Sequence, residues 1–298
     1  MGILKSHINI ICRLKKKYPK LFLNQTLTIS QQAVYANEKE FLNILKKNQI
    51  EIKKISSKFD KKNKIPDWFN TKYENNINSQ YLFTMLGSKS VLASDASKYE
   101  NPDLIINLNK KLSRNLHNKF ENIVDIGTLE HIFDTKTTLE NYVKMLKKGG
   151  YLLIAVPSSN MIDHGFYCFS PTLFFDYFSL NGFDILSSYL RESSPFIYEY
   201  KSKIYEYKNL GMEIPFLSDR AVEFIILMKK KKNVKKLIVP NQSVYIKKNN
   251  WKNNKKKPII TKTQKYKLFK ELIFKSLMYL PFFFQKKIFL HIRGKNIK

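Results

Sequence analysis

The chain has 298 residues, of which 43% are hydrophobic and 14% are aromatic. This length suits one α/β domain with appendages or two domains, and the composition allows a sizeable buried core. The composition excludes a chain that is disordered throughout, and the lack of any run of about 18 apolar residues predicts no transmembrane helix.

The formal net charge of +29 comes almost wholly from lysine, because only five of the 53 basic residues are arginine. Arginine is the residue that base readout and bidentate phosphate contacts favour. We therefore interpret the charge as a solvated basic surface and disfavour nucleic acid as a partner. Two cysteines as far apart as Cys12 and Cys168 form no disulfide framework, which favours a reducing, cytoplasmic compartment.

The first part of the chain is weakly patterned. Residues 1–20 are predicted to be a basic leader, and residues 21–29 alternate loosely and predict the first strand. A helix is predicted around residues 37–47, with its apolar side chains on one face. Residues 51–78 are rich in Lys, Asn and Ser and are interpreted as a loop or insertion.

From residue 80 onwards, apolar runs alternate with amphipathic segments. Helices are predicted at 138–146, which two glycines end, and at 171–180, which a proline begins. Because strands that alternate with helices indicate βαβ units, we expect an α/β domain over residues 21–232 with a mostly parallel seven-stranded sheet and helices on both faces. Six strands are predicted after the first one, at 90–94, 103–108, 122–126, 151–156, 185–189 and 221–228.

The last part of the chain changes character again. Residues 233–298 are predicted to form a Lys/Asn-rich linker and an amphipathic helix, which together make a basic helical C-terminal extension. The helix could dock on the domain. Alternatively, residues 265–292 could make a peripheral contact with an anionic surface at the inner face of the membrane.

Polar residues follow the ends of the predicted strands. In an open parallel sheet, ligands bind beyond the carboxyl ends of the strands, where the strand order reverses. Asp95 ends the second strand, where an acid can accept both hydroxyls of a ribose, although it could equally be a turn aspartate. The other polar or glycine candidates at this edge are Ser30, Gln31, Asn107, Asp125, Gly127, Glu130, His131, His164 and Tyr167.

The most specific pattern lies in two segments. Residues 120–134 contain Asp-Ile-Gly-Thr-Leu-Glu-His, and residues 145–157 contain Lys-Lys-Gly-Gly before an apolar run. Together they resemble the class I S-adenosylmethionine-dependent methyltransferases of the small-molecule type, in which a Leu-Glu-His turn follows the fourth strand and a Lys-Pro-Gly-Gly-like turn precedes the fifth. Residues 163–171 are also similar to that family, and residues 86–109 resemble a bacterial subgroup associated with surface-polysaccharide loci.

The resemblance implies a Rossmann-like, doubly wound fold and S-adenosylmethionine as the cofactor. It implies methyl transfer to a small molecule or to a glycan precursor in polysaccharide biosynthesis. The residues that it places at the cofactor are Ser30, Gln31, Asp95, Asn107, Asp125 and Gly127.

Two histidines are the candidate catalytic bases, because neutral imidazole titrates near the working pH. These are His164 and His131, although His131 could instead cap the Leu-Glu-His turn. Glu130 and Tyr167 are the candidates for substrate contacts. No metal is predicted, because the spacing of Asp163, His164 and Cys168 matches no established ligand pattern.

The sequence departs from the family's pattern after the first strand. That family has a Gly-rich loop there, whereas residues 28–32, Thr-Ile-Ser-Gln-Gln, contain no glycine. Asn107 also stands where an acid is often found. A catalytically inactive pseudo-methyltransferase, serving as a binding or scaffold module, therefore stays open as an alternative, and so does an RNA-directed methyltransferase.

Overall fold

The computed structural model describes residues 2–51, 75–193, 202–209 and 216–243. Five helices are present in this part of the chain: Lys5–Lys17 (α1), Glu38–Lys47 (α2), Ser79–Met85 (α3), Thr135–Met145 (α4) and Pro171–Leu180 (α5). The strands are Gly2–Ile3 (β1), Asn24–Ile29 (β2), Ala33–Asn37 (β3), Asn76–Asn78 (β4), Ser88–Asp95 (β5), Leu104–Ile105 (β6), Phe120–Ile126 (β7), Leu146–Ser159 (β8), Phe183–Ser193 (β9), Lys203–Glu206 (β10) and Ala221–Lys230 (β11).

The central sheet has the strand order β10-β9-β11-β8-β7-β2-β5-β6. The five strands from β6 to β8 are mutually parallel, and β11 runs antiparallel between β8 and β9. From β2 the chain builds outwards to β5 and β6, and it then returns to place β7 on the other side of β2. The α/β class and the mostly parallel sheet are thus confirmed, and the switch point of the topology lies between β2 and β7.

The sheet has eight strands among the described residues, not the seven that were predicted. The additional strand, β10, pairs antiparallel with β9 at the edge of the sheet, with Ile204 opposite Arg191. Four residues are too few to show a strand pattern, so only the pairing with β9 defines this strand.

Helices cover both faces of the sheet, as expected. Helices α1, α2 and α3 contribute to one apolar cluster, which includes Val124 and Ile126 of β7. Helices α4 and α5 contribute to the other, which includes Ile123 of β7. The alternation along β7 follows from the two-residue period of a strand.

The N-terminal segment differs from the predicted leader. Residues of α1 such as Ile8, Ile11 and Leu14 are fully or almost fully buried, and β1 joins a second sheet of order β1-β3-β4. The lysines at the end of α1 lie in its last turn, where cations are favourable beside the negative end of the helix dipole. The three consecutive lysines favoured the interpretation as a basic leader, although the residues before them form the apolar face of a buried helix.

The described chain also continues beyond the predicted domain end at residue 232. Asn181, which follows α5, exchanges two hydrogen bonds with the backbone of Ile238, at 2.8 and 2.9 Å. Ser243 N donates to Asp176 Oδ2 of α5 at 2.9 Å. The predicted amphipathic helix and most of the predicted insertion at 51–78 lie outside the described residues. No helix among those described is long and apolar enough to cross a membrane.

Candidate active site

A glycine-free turn follows β2 at the switch point. Ser30 adopts a left-handed conformation with φ of 62°, which a glycine would adopt without strain. The side chain of Gln32 is buried, and its Nε2 donates to Ile29 O at 2.6 Å and to Ser30 Oγ at 2.9 Å. The turn is therefore held by a side chain that hydrogen-bonds back onto its own strand.

The turn after β7 is hydrogen-bonded to the turn after β2. Thr128 Oγ1 donates to Ile29 O at 3.1 Å and lies 3.1 Å from Ser30 Oγ. Gly127, a predicted cofactor residue, has a φ of 87°, which favours glycine, and its N–H donates to Ala155 O at 3.0 Å. Hydrogen bonds thus join the ends of β2 and β7 to each other and to Ala155 of β8, and together these residues form one rim at the carboxyl edge of the sheet.

Asp125, the penultimate residue of β7, is fully buried beneath this rim. Its Oδ1 accepts the N–H of Thr128 at 2.9 Å, and its Oδ2 accepts the hydroxyl of Tyr142 at 2.6 Å. Burial raises the pKa of Asp125 to about 6, although the hydrogen bonds from Tyr142 and Thr128 favour the carboxylate. Asp125 therefore orients the turn from below.

Three of the four predicted catalytic and substrate residues form a compact cluster, which we call the Glu130 cluster. Candidate ligand atoms of Glu130, His131 and His164 all lie within 4.8 Å of one another. The rings of His131 and His164 are 5.4 Å apart, and His164 Nε2 lies 3.7 Å from Glu130 Oε1. The hypothesis that these residues share one site is consistent with this geometry.

Glu130 has an unusual environment within this cluster. Its side chain is fully buried, and neither carboxyl oxygen has a hydrogen-bond partner among the described residues. Burial, together with the nearby Asp125, raises the pKa of Glu130 to about 9. Burial also lowers the pKa values of His131 and His164, so the two imidazoles are neutral near pH 7 and give Glu130 no compensating charge.

Backbone contacts bring the loop of His164 to Glu130. Phe166 N donates to Glu130 O at 2.8 Å. A Cβ added at Gly165 would lie 2.8 Å from the same Glu130 O, so only glycine allows this close approach. Asp163 is left-handed, with φ of 62°, which turns the chain into the loop.

Gln31 lies between Ser30 and Gln32 in the turn after β2, and the last two predicted cofactor residues lie at the ends of β5 and β6. Asp95 Oδ1 accepts the N–H of Ser97 at 2.9 Å in a short turn. Asn107 is exposed, and its Oδ1 accepts the N–H of Asn109 at 3.0 Å. Neither residue makes a hydrogen bond with the rim or with the Glu130 cluster in the described part of the chain.

Aromatic side chains border the Glu130 cluster on the solvent side. Phe133 and Phe166 are 72% and 66% exposed and pack edge to face, with ring centroids 5.9 Å apart. Tyr167 donates its hydroxyl to Phe133 O at 2.9 Å and packs 6.3 Å from the ring of Phe166. Exposed phenyl rings of this kind offer an apolar surface to a ligand.

Three further residues build the site: Gln32, Thr128 and Tyr142. Gln32 and Thr128 lie in the segments after the first and fourth predicted strands, which the sequence places at the ligand edge without giving these two residues a role. Tyr142 lies on α4 and reaches Asp125 only through the packing of that helix on the sheet. Its position in the helical pattern indicated a core residue and no more.

Comparisons with known proteins give a fold-level likeness only. No family model matches the chain, and no curated protein matches it. A SAM-dependent methyltransferase from Archaeoglobus fulgidus is 12% identical, with a TM-score of 0.35 over 75% of this chain and 94% of that one. The YcgJ protein from Bacillus subtilis is 9% identical, with a TM-score of 0.41 over 77% and 100% of the two chains.

A branched-chain polyamine synthase from Thermus thermophilus, solved with N4-aminopropylspermidine and 5'-methylthioadenosine, is 11% identical. Its TM-score is 0.40, over 82% of this chain and 62% of that one. Because these scores and identities are low, we base the function on the strand order and side-chain geometry of this chain.

Proposed function

We propose that this protein is an S-adenosylmethionine-dependent methyltransferase that acts on a small molecule or a glycan precursor. The observation that carries the proposal is the topology of the sheet around the switch point. The strands β6, β5, β2, β7 and β8 are parallel, and β11 lies antiparallel between β8 and β9. Polar side chains lie together at the carboxyl ends of β2 and β7. That edge is where open α/β sheets bind ligands.

The side chains at the rim fit a cationic cofactor. Oε1 of Gln31 and Oε1 of Gln32 are buried acceptors with no hydrogen-bond partner among the described residues. Buried acceptors are normally paired, so these two oxygens suit a positively charged donor such as the ammonium group of the cofactor. When bound, the cofactor would supply an electrophilic methyl group on its sulfonium.

The other cofactor roles are assigned by position at the strand ends. Asp95 would accept the ribose hydroxyls, and the amide of Asn107 would pair with an adenine edge. Gly127 lets the backbone approach the ligand because it carries no side chain. Asp125 would hold the Gly127–Thr128 turn in place through its hydrogen bond to Thr128.

The acceptor would lie against the Glu130 cluster. His164 and His131 would take the proton of an acceptor hydroxyl or amine, and Glu130 with Tyr167 would position the acceptor. The exposed rings of Phe133 and Phe166 supply an apolar platform on which a sugar or an aromatic acceptor can stack.

The test is a calorimetric titration of the full-length protein with S-adenosylmethionine. We expect saturable binding that Asp95→Ala weakens at least about tenfold, or about 1.4 kcal/mol, because the ribose contact is lost. Asp184→Ala is the matched control, since Asp184 is an exposed acid paired with Lys231 at 3.6 Å and belongs to β9. Equal affinity of Asp95→Ala and Asp184→Ala would contradict the ribose role.

A second candidate is a non-catalytic binding module. The observation that favours it is the Gln32 side chain, which crosses the glycine-free turn and bonds to Ile29 and Ser30. If millimolar S-adenosylmethionine gives no heat of binding and no shift in melting temperature, the binding-module hypothesis replaces the methyltransferase proposal.

A further inference from the structure

The Glu130 cluster contains the donor set of a divalent metal ion. Two imidazole nitrogens and one carboxylate oxygen lie within 4.8 Å of one another. Imidazole and carboxylate together suit zinc and similar first-row ions, which three protein ligands can hold while other positions stay open. The sequence predicts no metal, because the spacing of Asp163, His164 and Cys168 matches no established ligand pattern, whereas the fold brings together a different set of residues.

Two observations point to a ligand that belongs in this cluster. Both oxygens of Glu130 are fully buried and have no hydrogen-bond partner in the described part of the chain, and Nε2 of His164 is likewise buried and unpartnered. Native proteins rarely leave buried polar atoms unpaired, because each such atom loses its hydration without compensation. A cation between Glu130 and His164 would satisfy all three atoms at once.

The backbone prearranges the cluster. The Phe166 N–H bond to Glu130 O and the close approach of Gly165 to the same oxygen hold the His164 loop against the Glu130 turn. Ligands at about 2.0–2.2 Å from an ion lie roughly 3.4 Å apart, so the 3.7 Å from His164 Nε2 to Glu130 Oε1 needs only a small contraction.

We propose that Glu130, His131 and His164 form a binding site for one divalent transition-metal ion such as zinc. Glu130 is the buried ligand below the ion, and the exposed His131 leaves the solvent side open for a further oxygen ligand. With the ion bound, the two histidines are its ligands. The ion would then bind an acceptor hydroxyl and lower its pKa, in place of direct proton transfer to His164 or His131, and this role rests on the proposed methyltransferase function. The metal binding itself rests on the cluster alone.

The experiment is a titration of the tag-free, full-length protein with Co²⁺, which absorbs visible light when histidines bind it, followed by displacement with Zn²⁺. We expect one Co²⁺ per chain. Each of Glu130→Gln, His131→Gln and His164→Gln should weaken binding at least tenfold. Circular dichroism and thermal melting establish that each variant is folded, and Glu130→Gln preserves the shape of the side chain.

Two control variants make the result specific. His117→Gln removes a histidine that lies outside the cluster and whose Nε2 is also buried and unpartnered, and Cys168→Ser removes an exposed thiol near His164. Both should bind Co²⁺ like the unmodified chain. Absence of stoichiometric binding, unchanged affinity in both His131→Gln and His164→Gln, or loss of binding in Cys168→Ser would overturn the site.

Calorimetry with S-adenosylmethionine on the same metal-free samples separates the two proposals. Metal binding without cofactor binding would reject the methyltransferase and keep the metal site. Cofactor binding without metal binding would reject the metal site and keep the methyltransferase proposal.

Discussion

Asp125, at the end of β7, and Glu130, in the turn that follows it, are both fully buried carboxyl groups, and their surroundings differ sharply. Asp125 accepts hydrogen bonds from Tyr142 and Thr128, whereas Glu130 accepts none from the described residues. A buried carboxyl with hydrogen-bond partners is held in place, whereas a buried carboxyl without them is a candidate for binding a ligand. Asp125 thus supports the turn, and Glu130 is the group for which we propose a ligand.

At the residue scale, Tyr142→Phe is expected to destabilise the protein by about 1–3 kcal/mol, because it leaves Asp125 Oδ2 buried without its donor. It should also weaken cofactor binding, since Asp125 holds the Thr128 turn. The measurements are urea denaturation and calorimetry.

Tyr177→Phe is the matched control for that change. The hydroxyl of Tyr177 is buried but has no hydrogen-bond partner among the described residues, so its removal should leave stability unchanged or raise it. If the two variants lost equal stability, the Tyr142–Asp125 bond would not be the cause.

At the scale of elements, a buried ion network joins α1 to the sheet. Glu223 of β11 lies 2.6 Å from His7 of α1 and accepts the Arg191 Nε–H of β9 at 2.8 Å. Burial alone would raise the pKa of Glu223, but His7 and Arg191 hold it at about 2. The segment that was predicted as a leader is therefore tied to the domain by polar as well as apolar contacts.

Glu223→Gln should lower the free energy of unfolding at pH 7 by about 3–5 kcal/mol, because Arg191 stays buried without its counter-charge. The folded pKa of Glu223 lies below its ordinary value of 4.5, so its contribution is complete above pH 4.5 and is lost as the pH falls from 4.5 towards 2. The gap between the unmodified chain and the variant should therefore close over this window, as followed by denaturation at several pH values.

Glu140→Gln provides the comparison, since the ion pairs of Glu140 in the described part of the chain are those with Lys136 and Lys144 of the same helix, α4. Pairs of this kind contribute about 0.3–0.5 kcal/mol each. A pH-independent gap for Glu223→Gln would argue against the ion network as the cause.

At the scale of the whole molecule, the net charge of +29 favours contact with an anionic surface such as that of a membrane. Two residues beyond position 232 are hydrogen-bonded to the domain. Ile238 pairs with Asn181, directly after α5, and Ser243 donates to Asp176 of α5. A chain that ends at Ser243 therefore retains these contacts, which a chain ending at residue 232 would lose. Cytoplasmic location and membrane contact through residues 265–292 remain proposals.

We expect the full chain to co-sediment with vesicles that contain anionic lipid, and the chain ending at Ser243 to do so much less, because the basic amphipathic segment is removed. Neutral vesicles are the control, and added salt should weaken the binding of the full chain. Equal pelleting of both chains with anionic vesicles would remove the membrane proposal.

The sequence by itself determined the order and type of the elements from β5 to α5 and most of their ends to within three residues. β8 is the exception, because it begins at Leu146 and includes the two glycines that were predicted to end α4. Apolar runs and helical periods are local properties that follow from side-chain burial on one or two faces. It also indicated the polar residues at the strand ends, because chain order places them at one edge of any parallel sheet.

Only the tertiary structure decided which of these residues meet. The pairing of β10, the burial of α1, and the contacts of Tyr142 with Asp125 and of His164 with Glu130 all join segments that are distant along the chain. No local pattern encodes such contacts, because they depend on how helices and loops pack on the finished sheet. For the same physical reason, only the tertiary structure shows that the two carboxyl oxygens of Glu130 have no hydrogen-bond partner among the described residues.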